Sequence, residues 1–190
     1  MKKISILLLA AVVVFSSFTA IETWKSDKAH SYLGFSVTHL GISDQSGTFK
    51  NFDVTIKSEK PDFSDAVIEM KADVASINTG IEMRDNHLKG EDFFDVAKYP
   101  ALNFTSTGLK NVGKNKFKMT GNLTLHGVTK PVTLDLLYRG TATNPQSKAP
   151  TTGFQVTGTI KRTDFGIATG YPATMLGDEV TIKADGEFAK

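Results

Sequence analysis

The sequence predicts an all-β fold: an eight-stranded antiparallel barrel with one or two short helices. Three observations carry the prediction. Apolar and polar residues alternate with a period of two in eight separate segments, which gives each strand one dry face and one wet face. Several of these segments run longer than the roughly five or six residues of an ordinary strand. Eight long strands joined up-and-down would leave exposed edges unless the sheet closes on itself. A two-sheet sandwich fits the alternation as well; strand length and edge closure favour the barrel.

The chain opens with Lys2 and Lys3, an uncharged apolar run from Ile4 to Phe15, and then mostly small residues to Ala20. That is the layout of a secretory signal peptide. The run is shorter than the roughly 20 residues a spanning helix needs, although an uncleaved anchor is the alternative reading. Residues 1–20 are therefore read as a leader and 21–190 as one domain. Export places the mature domain in the periplasm, or outside the cell where the host has no outer membrane. The chain has 22 basic and 20 acidic residues, and Lys2 and Lys3 account for the difference. The mature domain is balanced, so nothing suggests a footprint for nucleic acid or an anionic surface. There is no cysteine; the core must hold the domain without disulfides.

The strands follow in order. Leu33, Phe35 and Val37 alternate with polar neighbours, as do Phe52, Val54 and Ile56. Ile68, Met70, Ala72 and Val74 alternate with Glu69, Lys71 and Asp73. Leu102, Phe104 and Ser106 share a face, and Phe117, Met119, Gly121, Leu123 and Leu125 line the next. Val132, Leu134, Leu136 and Tyr138 come sixth; Phe154, Val156, Gly158 and Ile160 seventh; Val180, Ile182, Ala184, Gly186 and Phe188 last. Breakers separate them: Lys60-Pro61-Asp62, Asn111-Val112-Gly113, His126-Gly127, and Asn144 through Pro150. Ile81–Tyr99 breaks the rhythm. Met83, His87 and Leu88 suit a helical turn, and Glu91 to Phe94 a second, so this insert is expected to close one end.

An eight-stranded interior is just wide enough to be filled by side chains or to hold one small ligand. The small inward residues Ala72, Gly121, Gly158, Ala184 and Gly186 are expected to leave space, while a fully packed core stays open as the alternative. No ionisable residue falls on the regular inward positions, so a charged guest would lose its water and find few partners. An apolar chain gains about 0.8 kcal/mol per buried carbon group. The predicted wall comprises Phe35, Val37, Ile68, Met70, Leu102, Phe104, Phe117, Met119, Leu123, Leu134, Phe154, Val156 and Ile182. The irregular segments add Leu88, Phe93, Phe94 and Met175.

Several motifs point to a family. They are Asp27-x-x-His30-Ser31, Ser76-Ile77-Asn78-Thr79 and Arg84-Asp85-x-His87-Leu88. Asp92-Phe93-Phe94-Asp95 precedes Tyr99-Pro100. Leu123-Thr124-Leu125-His126-Gly127-Val128-Thr129 runs into Pro131-Val132. Arg162-x-Asp164-Phe165-Gly166-Ile167 and Gly177-Asp178-Glu179-Val180 complete the set. In order and spacing the whole mature chain resembles the YceI-like family of periplasmic, polyisoprenoid-binding proteins. The resemblance implies a lipocalin-like barrel and an elongated apolar pocket for a polyisoprenoid, an isoprenoid quinone tail or another long lipid. It implies no enzymatic activity and no obligatory cofactor.

Candidates for the rim, where a head group would sit, are His30, Arg84, Asp85, His87, Arg162 and Asp164. The bland alternative for Arg84, Asp85, Arg162 and Asp164 is a set of structural ion pairs. The four histidines show no HxH or HExxH spacing, so no metal site is expected. Ser31 lies in no Gly-x-Ser-x-Gly turn, and no catalytic group is assigned. The expected function is a periplasmic carrier of a long apolar lipid. The membrane enters only indirectly, as the source of that lipid, and a homodimer is compatible with the sequence. The alternative is a stress-related or interaction protein with a packed core and no obligatory ligand.

Overall fold

The computed structural model describes residues 20–190. The predicted leader lies, apart from Ala20, outside the described residues. The elements are β1 (Glu22–His39), β2 (Ser43–Phe49), β3 (Phe52–Ser58), β4 (Val67–Asp73), a 3-10 turn (Val74–Ser76) and β5 (Ile77–Asn78). Then come α1 (Glu82–Leu88), β6 (Ala101–Gly113), β7 (Lys116–Leu125), β8 (Val128–Thr143) and β9 (Pro150–Lys161). A second 3-10 turn (Arg162–Phe165) and β10 (Leu176–Ala189) end the chain.

Every pairing is antiparallel, and β10 pairs with β1 so that the sheet closes into a barrel. The ten strands form eight staves. β2 and β3 run along β1 as one interrupted stave. β4 and β5 form another, broken by the first 3-10 turn. All eight alternating segments form strands, the third ending at Asp73 so that Val74 begins the first 3-10 turn. No helix among the described residues is long and apolar enough to cross a membrane.

β2 and the first half of β1 lie outside the eight alternating segments. β2 reads SDQSGTF, and its inward side carries Gln45 and Gly47 before Phe49, so the apolar stripe is too short to see. In β1 the register against β10 slips between Ser26 and Ser31. The Asp27–His30 stretch bulges out there. Asp27 Oδ1 accepts from Ala29 N at 2.8 Å, and His30 Nδ1 lies 2.9 Å from Asp27 Oδ2. The Asp-x-x-His motif thus holds a β-bulge together, which breaks the period-two pattern.

One end of the barrel is plugged by aromatic rings. The β3–β4 connection turns Phe63 inward, where it is 3% exposed. Its ring meets Trp24, Tyr138 and Phe154 at centroid distances of 5.6, 5.1 and 5.0 Å. Asp65 fixes this turn by accepting from Ser58 Oγ at 2.6 Å and Glu59 N at 3.0 Å. The other end carries α1, the turns after it and the long connection before β10.

The inward glycines do a different job from the one expected of them. A side chain at Gly121 would collide with the Phe104 ring, and one at Gly158 with Leu134. These glycines admit a large neighbour rather than leave a void. Such complementarity between small and large residues fits native packing density.

Candidate functional site

The barrel holds two chambers in line. The deep one has a volume of about 150 Å³ and is bounded by Ile68, Met70, Leu102, Phe104, Met119, Leu123, Leu134, Phe154, Val156 and Ile182. The outer one, about 470 Å³, is bounded by Phe35, Val37, Leu88, Phe93 and Met175 together with residues of β2, α1 and the last connection. Phe94, Leu125 and Ile160 border both. Ligand pockets commonly measure about 300–1,000 Å³, and the outer chamber alone falls in that range. Phe117 is buried but outside both linings.

A neck of rings separates the chambers. Phe35 packs on Phe49 at 5.8 Å, and Phe49 meets Phe94 edge-on at 5.9 Å. Phe93, on the other side of the chain, is gripped by His87 at 4.9 Å and Tyr171 at 5.2 Å. The adjacent Phe93 and Phe94 therefore split their work: one anchors the α1 insert, the other narrows the channel.

Most polar groups gather at the outer chamber; the deep one is bordered by Ser31, Tyr32 and Asp185, and the buried Ser31 Oγ has no hydrogen-bond partner. Arg84 donates from Nε to Thr79 Oγ1 at 2.8 Å and from a terminal nitrogen to Gln45 Oε1 at 2.6 Å. Its other terminal nitrogen reaches Thr79 O at 3.0 Å. Three of its five N–H groups are thereby used, and two stay free. Asp85 does not pair with it. Its Oδ1 accepts from Thr79 N at 2.7 Å and Thr79 Oγ1 at 2.6 Å. The Thr79 hydroxyl bond, opposed by burial and aided by the Thr79 amide, holds the Asp85 carboxyl below its usual 3.8. The His87 side chain borders the outer chamber beside Arg84.

Arg162 is 4% exposed and has no acid partner. Its Nε donates to Gly177 O at 3.1 Å. One terminal nitrogen donates to the carbonyls of Ile167 and Ala168. The other donates to those of Tyr171 and Leu176 at 2.7 and 3.0 Å. All five N–H groups are spent on backbone, leaving none for a ligand. Neither the rim role nor the structural ion pair expected of Arg162 describes what it does. It is the hub that folds residues 163–177 over the outer chamber. Asp164 is exposed and outside both linings.

His30 also lies outside both linings, on the exterior of β1. There Asp27, His30 and Glu187 bring one potential metal-ligand atom each within 4.8 Å of one another. The sequence could not show this, because Glu187 comes from the far end of the chain through the β1–β10 closure. His126, at the β7–β8 turn, contacts Phe165 O at 3.1 Å and the Tyr99 ring at 4.6 Å. Thr79, Gln45, Ser46, Ile167 and Tyr171 border the outer chamber; of these the sequence points to the mouth only through Tyr171, whose Gly170-Tyr171-Pro172 stretch suggests part of a lid. Thr79 and Ile167 stood in motifs.

The fold and the cavity define a closed antiparallel β-barrel with an internal apolar channel open at one end. The chain belongs to the YceI-like family: the YceI-like domain matches residues 24–188. It is similar to Protein YceI of Salmonella arizonae, 36% identical over 179 residues, 93% of either chain. A UPF0312 protein of Pseudomonas syringae pv. tomato is 39% identical over 151 residues, 78% of this chain and 77% of the relative. Among solved structures, Burkholderia cenocepacia BcnA superposes with a TM-score of 0.75 at 29% identity, over 85% of this chain and 98% of that one. The Campylobacter jejuni YCEI protein gives 0.74 at 34% identity, over 80% and 89%. A polyisoprenoid binding domain from Saccharophagus degradans shares the fold, with a TM-score of 0.63 at 18% identity over 87% and 97%.

Proposed function

We propose that this protein is an exported, periplasmic carrier of one long apolar lipid, a polyisoprenoid or the tail of an isoprenoid quinone. The observation that carries the reading is the pair of predominantly apolar chambers that share Phe94, Leu125 and Ile160, with most of the hydrogen-bonding groups at the outer one. A thin chain fits such a channel; a compact polar molecule would lose its hydration in the deep chamber and gain few partners. Each isoprene unit buried contributes about 4 kcal/mol at 0.8 per carbon group, and ordering of chain and wall offsets much of it. The tail sets the affinity in this reading, and Arg84, with its two free N–H groups, receives the polar end together with His87.

The Saccharophagus degradans domain of the same fold is described as polyisoprenoid binding, which supports the chemical class. The leader-like N-terminus supports export. The chamber volumes weigh against a solid-core interaction protein. Organic extraction and mass spectrometry of protein purified without detergent test the proposal. Co-purified or added isoprenoid is expected at up to one chain per barrel. A barrel that yields no lipid and fails to take up added isoprenoid would overturn it.

A further inference from the structure

Exposed aliphatic side chains encircle the open end. Leu40 and Ile42 stand on the β1–β2 turn, Ile81 and Met83 at the start of α1, and Met175 on the last connection. Ile42 is 83% exposed and Met83 82%. They are held on one frame. Leu40 N donates to Met175 O at 2.9 Å, Met175 and His39 border the outer chamber, and Arg84, next to Met83, bonds β2 through Gln45.

The β1–β2 turn is an unusual place for these residues. Leu40 has φ +53, followed by Gly41 at +70. A left-handed position in a tight hairpin favours Asn, Asp or Gly, with polar flanks. Here the turn places leucine in that strained conformation and isoleucine after it, both pointing into solvent. Strain of this kind persists where function retains it.

We propose that this collar dips into a lipid bilayer and passes the cargo directly between membrane and channel. The inference rests on the carrier reading and adds the surface by which it works. A long apolar chain that left the barrel into water would expose its whole length. Contact between the mouth and the bilayer keeps the chain in an apolar medium throughout. The charges beside the collar are of both signs, Glu82 against Arg84 and Lys89, so the contact is apolar and does not require anionic lipid.

The test is flotation of the purified protein with phosphatidylcholine vesicles. Wild type is expected to float, and Ile42→Ser combined with Met83→Ser to lower the bound fraction on the order of tenfold. Ile21→Ser with Val112→Ser, exposed residues at the plugged end, is expected to float as wild type does. Circular dichroism should show both variants folded, since none of the four side chains is buried. A wild type that stays with the soluble fraction, an undiminished double variant, or binding that needs anionic lipid and vanishes with salt would overturn the collar. Extraction of lipid from the same preparations reads the carrier function separately. Floating protein that neither carries isoprenoid nor takes it up when added would remove the carrier reading; loaded protein that never floats would remove only the collar.

Discussion

Phe94 stands edge-on to Phe49, with ring centroids 5.9 Å apart and planes at 86°, and this contact forms the neck between the two chambers. Phe49 is fixed on β2 and buried. Phe94 comes from the turn after α1 and is only half-buried. The neck thus pairs a barrel wall with the insert that covers its mouth, and in the carrier reading the half-buried ring is the one that moves aside for the cargo.

Phe94→Ala is expected to merge the chambers. Loss of a half-buried ring should cost about 2 kcal/mol, read by urea unfolding. Release of a bound chain to acceptor vesicles should become faster than in wild type, because no ring need swing aside.

Gly121→Val should destabilise by about 1–3 kcal/mol through overpacking. The added Cβ would meet the Phe104 ring and come within 2.7 Å of the Thr105 carbonyl oxygen. Displaced into the deep chamber, Phe104 should also shorten the longest chain the barrel retains, as mass spectrometry of a mixed-length isoprenoid pool would show.

Arg162→Lys should not rescue the native arginine. An ammonium has three donors against the five that Arg162 uses, so buried carbonyls lose their partners at about 1–3 kcal/mol for each group. Hydrogen exchange should quicken across residues 163–177 and leave β6 and β7 protected. A ligand-contact role for Arg162 would instead lower affinity with stability and exchange unchanged.

Acid should weaken the mouth through Asp85. Its carboxyl is held below 3.8, first by the Thr79 hydroxyl, so the unfolded chain takes up this proton at a higher pH than the folded one. The stabilisation is complete above the unfolded value and is lost as pH falls below about 4 through the folded one. Asp85→Asn should lower the urea midpoint at pH 7 and flatten the decline below pH 4. An acid limb of unchanged steepness would assign the loss to other carboxylates, such as Asp178, whose pKa its Thr163 hydrogen bond also lowers.

Much of the wall was legible because a barrel strand obeys a local rule. Val156 and Ile182 face inward for the same reason that Gln155 and Lys183 face out: successive side chains alternate across the sheet. The mouth obeys no such rule. Gln45 and Thr79 border the outer chamber from a polar strand and from the end of the Ser76–Thr79 motif, and Tyr171 from a connection with no period at all. Arg162 looked like a rim charge because its sequence neighbours say nothing of the five carbonyls that fold back around it.

The sequence by itself determined the closed antiparallel sheet, its apolar inner face and the family, since alternation and motif order are written along the chain. Only the tertiary structure decided where space remains inside. Gly121 and Gly158 give their room to Phe104 and Leu134, while the cavity opens between the neck ring of Phe94 and the loop that Arg162 gathers. Volume is what is left after distant side chains interlock, and residues far apart in the chain decide it together.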